Sequence, residues 1–409
     1  MLFNRATASP TAGRQRILGE KGLIALLGLL SAFVPLSTDL YLPALPSMMV
    51  QYQVTEGEMN LTLIAFFITY GLATLVWGPL SDKYGRRPVL MAGLTVYILA
   101  SLMCALSGSI LALIVFRTFQ AIGGGGVTAV ATATIKDVFD GRKRLVVLAI
   151  VQSMVLIAPA VAPVIGALLL QFTTWQGIFL VLAGIGTTAL LGTLALVETL
   201  DERYTGSIFG ALGRLGVVLR NRRFTYLLIM FSLVSMASLS FVAASSYIYV
   251  NGFGLTEQEY SYHFALNAMG LVTAPVAYIF LSRRFDMGPV IGLCFLTITA
   301  SGTLVCILGG ISPLTFALSL LPATFCGSLT RAPGTNLILE QQRGDAGSAS
   351  SLIACTGVLM GSLGMSIVSL DWPDLVFVLG AVNAMVGAAC LTMWLILSGT
   401  EQRVPAGAR

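Results

Sequence analysis

Apolar and polar residues follow one another along this chain in long blocks. Twelve blocks of about 20 mainly apolar residues are separated by short clusters of charged and turn-forming residues. A helix of that length crosses the hydrocarbon core of a bilayer, so the pattern predicts twelve transmembrane helices. Their predicted limits are 23–46, 59–80, 89–106, 110–134, 145–172, 177–197, 224–250, 261–281, 289–309, 314–339, 348–370 and 375–397.

The composition indicates an all-α membrane protein. Hydrophobic residues make up 56% of the chain, charged residues only 10%, and the mean hydropathy is +0.88, whereas a soluble domain has roughly 25% charged residues. The start of the chain is basic, but the apolar block that follows lacks a small-residue cleavage site and continues into Asp39, so we expect that block to remain as a span. All six cysteines lie within apolar blocks and are expected to be buried free thiols, with no metal or cofactor.

The basic residues predict the orientation. With twelve crossings, 21 of the 23 Lys and Arg residues fall on the side that carries both termini, and the remaining two, Arg117 and Arg331, lie within spans. The charged residues of the opposite loops are all acidic, and they include Glu56 and Glu257. The positive-inside rule therefore places both termini in the cytoplasm.

The longest connection separates six spans from six. We expect an N-terminal tail at 1–22, a first six-helix bundle at 23–198, a central linker at 199–223, a second bundle at 224–398 and a tail at 399–409. Two such halves, with a site at mid-membrane between them, are the plan of many secondary transporters. Within the linker, 208–223 alternates apolar and basic residues, which fits a helix at the lipid surface and equally a plain linker with basic anchors.

Asp39 is the one carboxylate within a predicted span, in the run DLYLPALP at 39–46. An ionisable group at bilayer depth is costly, so it indicates a functional site that can exchange a proton. Asp39 lies about 24 Å along the first span, and Arg117 about 10 Å below the outer end of the fourth, at a rise of 1.5 Å per residue. We therefore expect the two to be close enough for their charges to interact. Two structural roles remain open: Asp39 as a helix-ending residue, and Arg117 as a donor to exposed carbonyls.

Two other polar residues invite simpler interpretations. Arg331 lies near the inner end of its span, where snorkelling to the interface accounts for its charge. His263, the single histidine, lies at the outer end of the eighth span beside Tyr260 and Tyr262. An interfacial aromatic belt explains it better than a second proton relay, and whether either residue takes part in transport stays open.

The loop between spans two and three reads GPLSDKYGRRP at 78–88. Gly78 and Gly85 allow close approach and a positive backbone angle, while Asp82, Arg86 and Arg87 offer charges that can pair across the seam between two halves. These residues predict a conformational latch. The run closely resembles the loop 2–3 signature of the major facilitator superfamily, with every expected position filled.

Two further runs resemble motifs of that superfamily. RTFQAIGGGG at 117–126 places Arg117 and Gln120 at the spacing of proton-coupled members, although Ala121 follows where a glycine is common. APAVAPVIGALL resembles the antiporter motif of the exporters and carries Pro159, Pro163 and Gly166. Prolines bend a helix, and small residues let its neighbour approach. Ordinary packing of small residues between membrane helices remains an alternative interpretation of this run.

With DLYLPALP, these runs make the chain similar to the twelve-span drug:proton antiporters of the bicyclomycin and chloramphenicol resistance type. The resemblance implies the major facilitator fold, in the bacterial inner membrane. It also implies export of small, mostly apolar drugs or metabolites to the periplasm, with Asp39 as proton carrier and Arg117 as its partner. No cofactor or nucleic acid is implied, and a monomer in the lipid bilayer is expected.

The substrate cavity is expected between the halves. Its candidate lining is aromatic or amide in character and comprises Tyr41, Phe66, Tyr70, Phe241, Tyr247, Asn267 and Asn336.

Other functions fit less well. A dedicated transporter of one sugar, nucleoside or siderophore remains the main alternative, although the antiporter motif speaks against import. An intramembrane enzyme would need a second buried acid or a nucleophile with its base. The chain has no GxxxxGK[ST] run for an ATP-driven pump. A channel would differ in carrying flux that neither saturates nor depends on a proton gradient.

Overall fold

A computed structural model describes residues 17–200, 203–204, 207–342 and 346–402. Most of the two predicted tails and part of the predicted linker therefore lie outside the described residues. Among the residues described, all regular elements are helices. Eleven single helices are long and apolar enough to cross a membrane, and a bent pair supplies a twelfth span. This confirms the predicted all-α class and the count of twelve.

Contacts between residues divide the chain into two compact units. The first contains Met1–Ala44, Gln51–Val54 and Ala65–Gly213, and the second contains Leu45–Val50, Thr55–Ile64 and Arg214–Arg409.

The first nine helices run from the start of the described chain to the central linker. They are α1 (Gly19–Ser31), α2 (Phe33–Asp39), α3 (Leu45–Tyr52), α4 (Glu56–Tyr84), α5 (Arg86–Ala105), α6 (Ile110–Val138), α7 (Gly141–Leu170), α8 (Trp175–Leu194) and α9 (Ile208–Leu219). A short 3₁₀ turn, Leu42–Ala44, joins α2 to α3. The core of the first unit is a layer of buried aliphatic and aromatic side chains such as Leu27, Leu94 and Val130.

The remaining six helices belong to the second unit. They are α10 (Arg222–Ser246), α11 (Glu257–Leu281), α12 (Met287–Leu308), α13 (Pro313–Glu340), α14 (Ala346–Val368) and α15 (Leu375–Gln402). A π-helical turn, Tyr247–Gly252, extends α10. Within this unit α10 packs on α14, and α12 packs on α13 and α15.

The first span is broken, whereas the sequence pattern predicted one continuous helix over 23–46. Helix α1 and the following segment, Phe33–Tyr52, meet at an angle of 44° between Ser31 and Phe33. Pro35 explains the bend, because it has no N–H for the carbonyl of Ser31 and its ring crowds that carbonyl. Pro43 acts in the same way on the carbonyl of Asp39, and α2 accordingly ends at Asp39.

The second span and the eighth begin with the same local structure. Helix α4 starts within TEGE (55–58) and α11 within TEQE (256–259), each directly after the threonine. In each, the threonine hydroxyl accepts the backbone N–H three residues on, and that glutamate's carboxylate accepts the threonine N–H. These paired capping boxes indicate a repeat between the two halves that overall sequence similarity barely reveals.

Small residues allow α12 and α15 to approach closely. A Cβ atom at Gly302 would lie 2.3 Å from the backbone nitrogen of Ala384 and 2.6 Å from the carbonyl oxygen of Gly380. Backbone atoms cannot move aside as a flexible side chain can, so this contact depends on the glycine.

We expect Gly302→Ala to lower the thermal unfolding midpoint of the detergent-solubilised protein, because the added methyl group forces α12 away from α15. Overpacking of this kind costs about 1–3 kcal/mol. Gly184→Ala in α8 is the matched control, because no atom lies within 4 Å of its added Cβ. Equal midpoints for the two variants would contradict the proposed close packing.

Candidate functional site

Asp39 lies at a second break in the first span, where α2 ends before the 3₁₀ turn. The residue is 6% exposed, and its Oδ1 accepts a hydrogen bond of 2.9 Å from the hydroxyl of Thr38. Among the described residues it is the only acidic residue that is buried. A carboxyl group in such a position has few partners for a negative charge, which suits it to gaining and losing a proton.

Arg117 is completely buried in α6. Its Nη1 donates to the carbonyl oxygen of Ser37 at 3.0 Å and to Oε1 of Gln120 at 2.6 Å. Ser37 lies in the last turn of α2, where carbonyls lack partners within the helix. The arginine therefore stabilises the end of the broken helix, as its alternative structural role predicted. Its Nε and Nη2 have no hydrogen-bond partner.

Three aromatic rings surround the guanidinium of Arg117. Its Cζ lies 4.5 Å from the ring centroid of Tyr41, 4.3 Å from that of Phe66 and 5.8 Å from that of Phe179. Cation–π contacts strengthen when the cation is desolvated, so these rings offset part of the cost of burying the charge. Two predicted lining residues, Tyr41 and Phe66, thus lie together around the predicted proton-coupling arginine.

Asp39 and Arg117 belong to the same unit, but within the described chain they form no ion pair. Their connection runs through the backbone of α2, since Arg117 bonds to Ser37 two residues before Asp39. Polar side chains extend this connection. Gln120 donates to the hydroxyl of Ser101 at 2.7 Å, and the hydroxyls of Ser37 and Tyr97 are hydrogen-bonded to each other.

The predicted antiporter motif lies in α7, next to the same break. Pro159 and Pro163 are inside the helix, half-buried and buried respectively. Gly166 packs so tightly that a Cβ there would overlap the carbonyl oxygen of Leu40. The motif therefore permits α7 to contact the first span immediately beside Asp39.

The predicted latch residues of loop 2–3 come together at the ends of three helices. Arg86 is buried, and its guanidinium binds Asp82 at 2.6 Å and Asp137, near the end of α6, at 2.7 Å. It also donates to the hydroxyl of Ser81. Both carboxylates belong to the first unit, whereas the sequence led us to expect partners across the seam between the halves.

The two glycines of the latch differ in their surroundings. Gly85 has a φ angle of 104°, in the region that favours glycine. Gly78 lies within α4 with no atom within 4 Å of an added Cβ, so close approach is not its role here.

The other predicted lining residues are distributed over both units. In the first unit, Tyr70 stacks on Phe66 with ring centroids 6.5 Å apart. In the second, Phe241 stacks on Phe264 at 5.3 Å, and Tyr247 is buried. Asn267 is buried with no partner for its Oδ1, while Asn336 is exposed.

His263 and Arg331 lie where the sequence placed them along their helices. His263 is half-buried near the start of α11, with its ring 5.1 Å from that of Tyr249 and its Nδ1 3.0 Å from the carbonyl oxygen of Glu259. Arg331 is exposed towards the end of α13.

Sequence reasoning missed several residues of the site. Asp137 follows Lys136 in an ordinary helix end, and only its position opposite loop 2–3 reveals it as the partner of Arg86. The signal for Ser37 was available, because Pro43 predicts free carbonyls in the turn before it. No group of three or more His, Cys, Asp or Glu side chains that could hold a metal ion occurs in the described parts of the chain.

The chain is similar to known transporters along most of its length. The family model of the Major Facilitator Superfamily matches residues 27–365. An uncharacterized MFS-type transporter, YdgK of Bacillus subtilis, is 30% identical over 89% of this chain and 91% of its own. A chloramphenicol resistance protein of Pseudomonas aeruginosa is 29% identical over 90% and 91%.

Solved structures show the same fold. A D-xylose–proton symporter superposes with a TM-score of 0.71, covering 91% of this chain and 96% of its own, at 14% identity. At this identity the likeness concerns the fold alone. Taken with the twelve spans and the family match, it shows that the chain belongs to the Major Facilitator Superfamily and is a multi-pass membrane transporter, not an enzyme.

Proposed function

We propose that this transporter exports small, mostly apolar drugs or metabolites from the cytoplasm to the periplasm by exchange for protons. It would act in the bacterial inner membrane and alternate between inward-open and outward-open states. The observation that carries the proposal is Asp39, a buried carboxylate at a break in the first span. The similarity to a chloramphenicol resistance protein from a bacterium supports drugs as the substrate class.

Asp39 is the proposed proton carrier. A proton that enters from the periplasm neutralises the carboxylate and so removes a charge from a site with one side-chain hydrogen bond. Substrate release outward accompanies this protonation, and return of the carrier delivers the proton inside. Each charge that moves inward gains about 2.3 kcal/mol per 100 mV of membrane potential, which suffices to drive export against a gradient.

Arg117 is the proposed partner in coupling. It holds the carbonyl of Ser37, so a change in the helix end at Asp39 is transmitted to α6 through one strong, charge-assisted hydrogen bond. Its unpaired Nε and Nη2 supply donors for an acceptor that arrives during the cycle. The surrounding rings of Tyr41 and Phe66, both completely buried, keep this arginine in an apolar environment.

The contact between α7 and the first span supports exchange over import. Gly166 lies against the carbonyl of Leu40, so the motif that resembles those of exporters is in contact with the residue that follows Asp39. A movement of the first span at Leu40 therefore has to be matched by α7.

We expect Asp39→Asn to abolish gradient-driven chloramphenicol uptake into inverted membrane vesicles, with at least a tenfold loss. The amide cannot carry a proton, while its size is unchanged. Asp371→Asn, at an exposed aspartate after α14, is the matched control and should transport as the parent does. Full uptake by the Asp39 variant would show that the coupling site lies elsewhere.

We expect Gly166→Ala to reduce the same uptake severalfold, because its methyl group would overlap the carbonyl of Leu40 and displace the first span. Gly184→Ala should leave uptake unchanged, since its added Cβ meets no atom within 4 Å. Equal rates for the two variants would argue against a working contact between α7 and the break.

We expect cells that produce the protein to grow in severalfold higher concentrations of chloramphenicol and of a structurally unrelated apolar antibiotic. Cells that produce Asp39→Asn at the same level provide the control. Protection against one compound alone would favour the alternative of a dedicated transporter. Accumulation of that compound inside the cells would overturn export altogether.

A further inference from the structure

Helix α5 begins without a side-chain cap of its own. The residue at its N-cap is Gly85, which has no side chain to accept the first free N–H groups. Pro88, in the first turn, has no N–H. The amides of Arg86 and Arg87 therefore need acceptors from another part of the chain.

Glu198 supplies both acceptors from a position more than 100 residues further along. Its Oε1 accepts the N–H of Arg86 at 2.9 Å, and its Oε2 accepts the N–H of Arg87 at 3.2 Å. Its Oε1 also accepts the N–H groups of Thr199 and Leu200 at 2.9 and 3.1 Å. A carboxylate at a helix N-terminus is stabilised further by the helix dipole.

Arg87 makes the reverse contact. Its Nη2 donates to the carbonyl of Leu194, the last residue of α8, at 2.7 Å. A cation therefore caps the C-terminus of α8, while the carboxylate that follows α8 caps the N-terminus of α5. We call this pair of contacts, made by Arg87 and Glu198, the reciprocal cap.

The reciprocal cap explains one detail of loop 2–3. A Cβ at Gly85 would lie 2.6 Å from Oε2 of Glu198, so a side chain at this position would push the carboxylate away from the amides that it binds. A further contact joins the two regions, because the N–H of Tyr204 donates to the carbonyl of Asp82 at 2.9 Å.

We propose that Glu198 is a positioning residue of the transport cycle. By fixing the first turn of α5, its carboxylate directs the side chain of Arg86 towards Asp82 and Asp137, and so sets the state of the loop 2–3 latch. It acts through the latch, away from Asp39. A test of this role by drug uptake rests on the proposed function, whereas a test by hydrogen–deuterium exchange does not.

Hydrogen–deuterium exchange of the purified full chain tests the structural part. Glu198→Gln keeps one acceptor oxygen but replaces the other with an N–H₂ group, which accepts no hydrogen bond from a backbone amide. We therefore expect the backbone amide hydrogens of residues 86–90 and 199–200 to exchange at least tenfold faster. Exchange at residues 136–140 should rise as well, because Arg86 loses its fixed direction towards Asp137. Glu340→Gln, at an exposed glutamate ending α13, should change none of these.

Faster exchange confined to residues 86–90 and 199–200 would make Glu198 a local cap and overturn the positioning role. Unchanged exchange throughout would overturn the reciprocal cap itself. Either result is independent of whether the protein exports drugs.

Uptake of chloramphenicol into inverted vesicles tests the functional part. We expect Glu198→Gln to lower the maximal rate per folded carrier severalfold with little change in KM, because the residue sets the latch and touches no substrate. An unchanged maximal rate with less folded protein would show a purely structural role. If the parent protein itself shows no uptake, the result counts against the proposed function alone. The hydrogen–deuterium exchange experiment then still decides whether Glu198 is a positioning residue.

Discussion

The organising constraint in this molecule is the need to satisfy backbone groups where a helix is interrupted inside a bilayer. Hydrocarbon offers no hydrogen bonds, so an irregular segment is tolerated there only where protein supplies the partners. Pro35 and Pro43 interrupt the first span, and Arg117 donates to a carbonyl that the interruption leaves free. The interrupted helix, the buried arginine and the buried carboxylate of Asp39 are therefore one arrangement.

A second arrangement of the same kind lies at the other end of the first unit. The ends of α4, α5, α6 and α8 converge on loop 2–3, and each free helix end there is met by an oppositely charged side chain. Arg86 binds the carboxylates at the ends of α4 and α6, while Arg87 and Glu198 cap α8 and α5. Charge and helix dipole thus act together beside the apolar core, which includes Val89 and Val138.

The sequence predicted much of the fold because its strongest signal is the length of its apolar blocks, and that length is what defines a membrane span. All twelve spans were predicted, and each observed helix overlaps its predicted limits. The end of a helix at Asp39 was one of the roles left open, and α2 does end there. The bend between Ser31 and Phe33 was missed because the length of an apolar run does not show whether a proline within it bends the helix. The site was predicted only as far as rare residues mark it. Asp39, Arg117 and the glycines of loop 2–3 are conspicuous in an apolar chain. Asp137 and Glu198 are ordinary acids near helix ends, and their importance depends on packing between helices that are distant in sequence.

The acceptor that Arg117 uses on the first span is a main-chain carbonyl. Every amino acid at position 37 presents that oxygen, so side-chain variation there leaves the bond available, whereas a change of the arginine removes it. This hydrogen bond is therefore lost by mutation of Arg117 but not by mutation of Ser37.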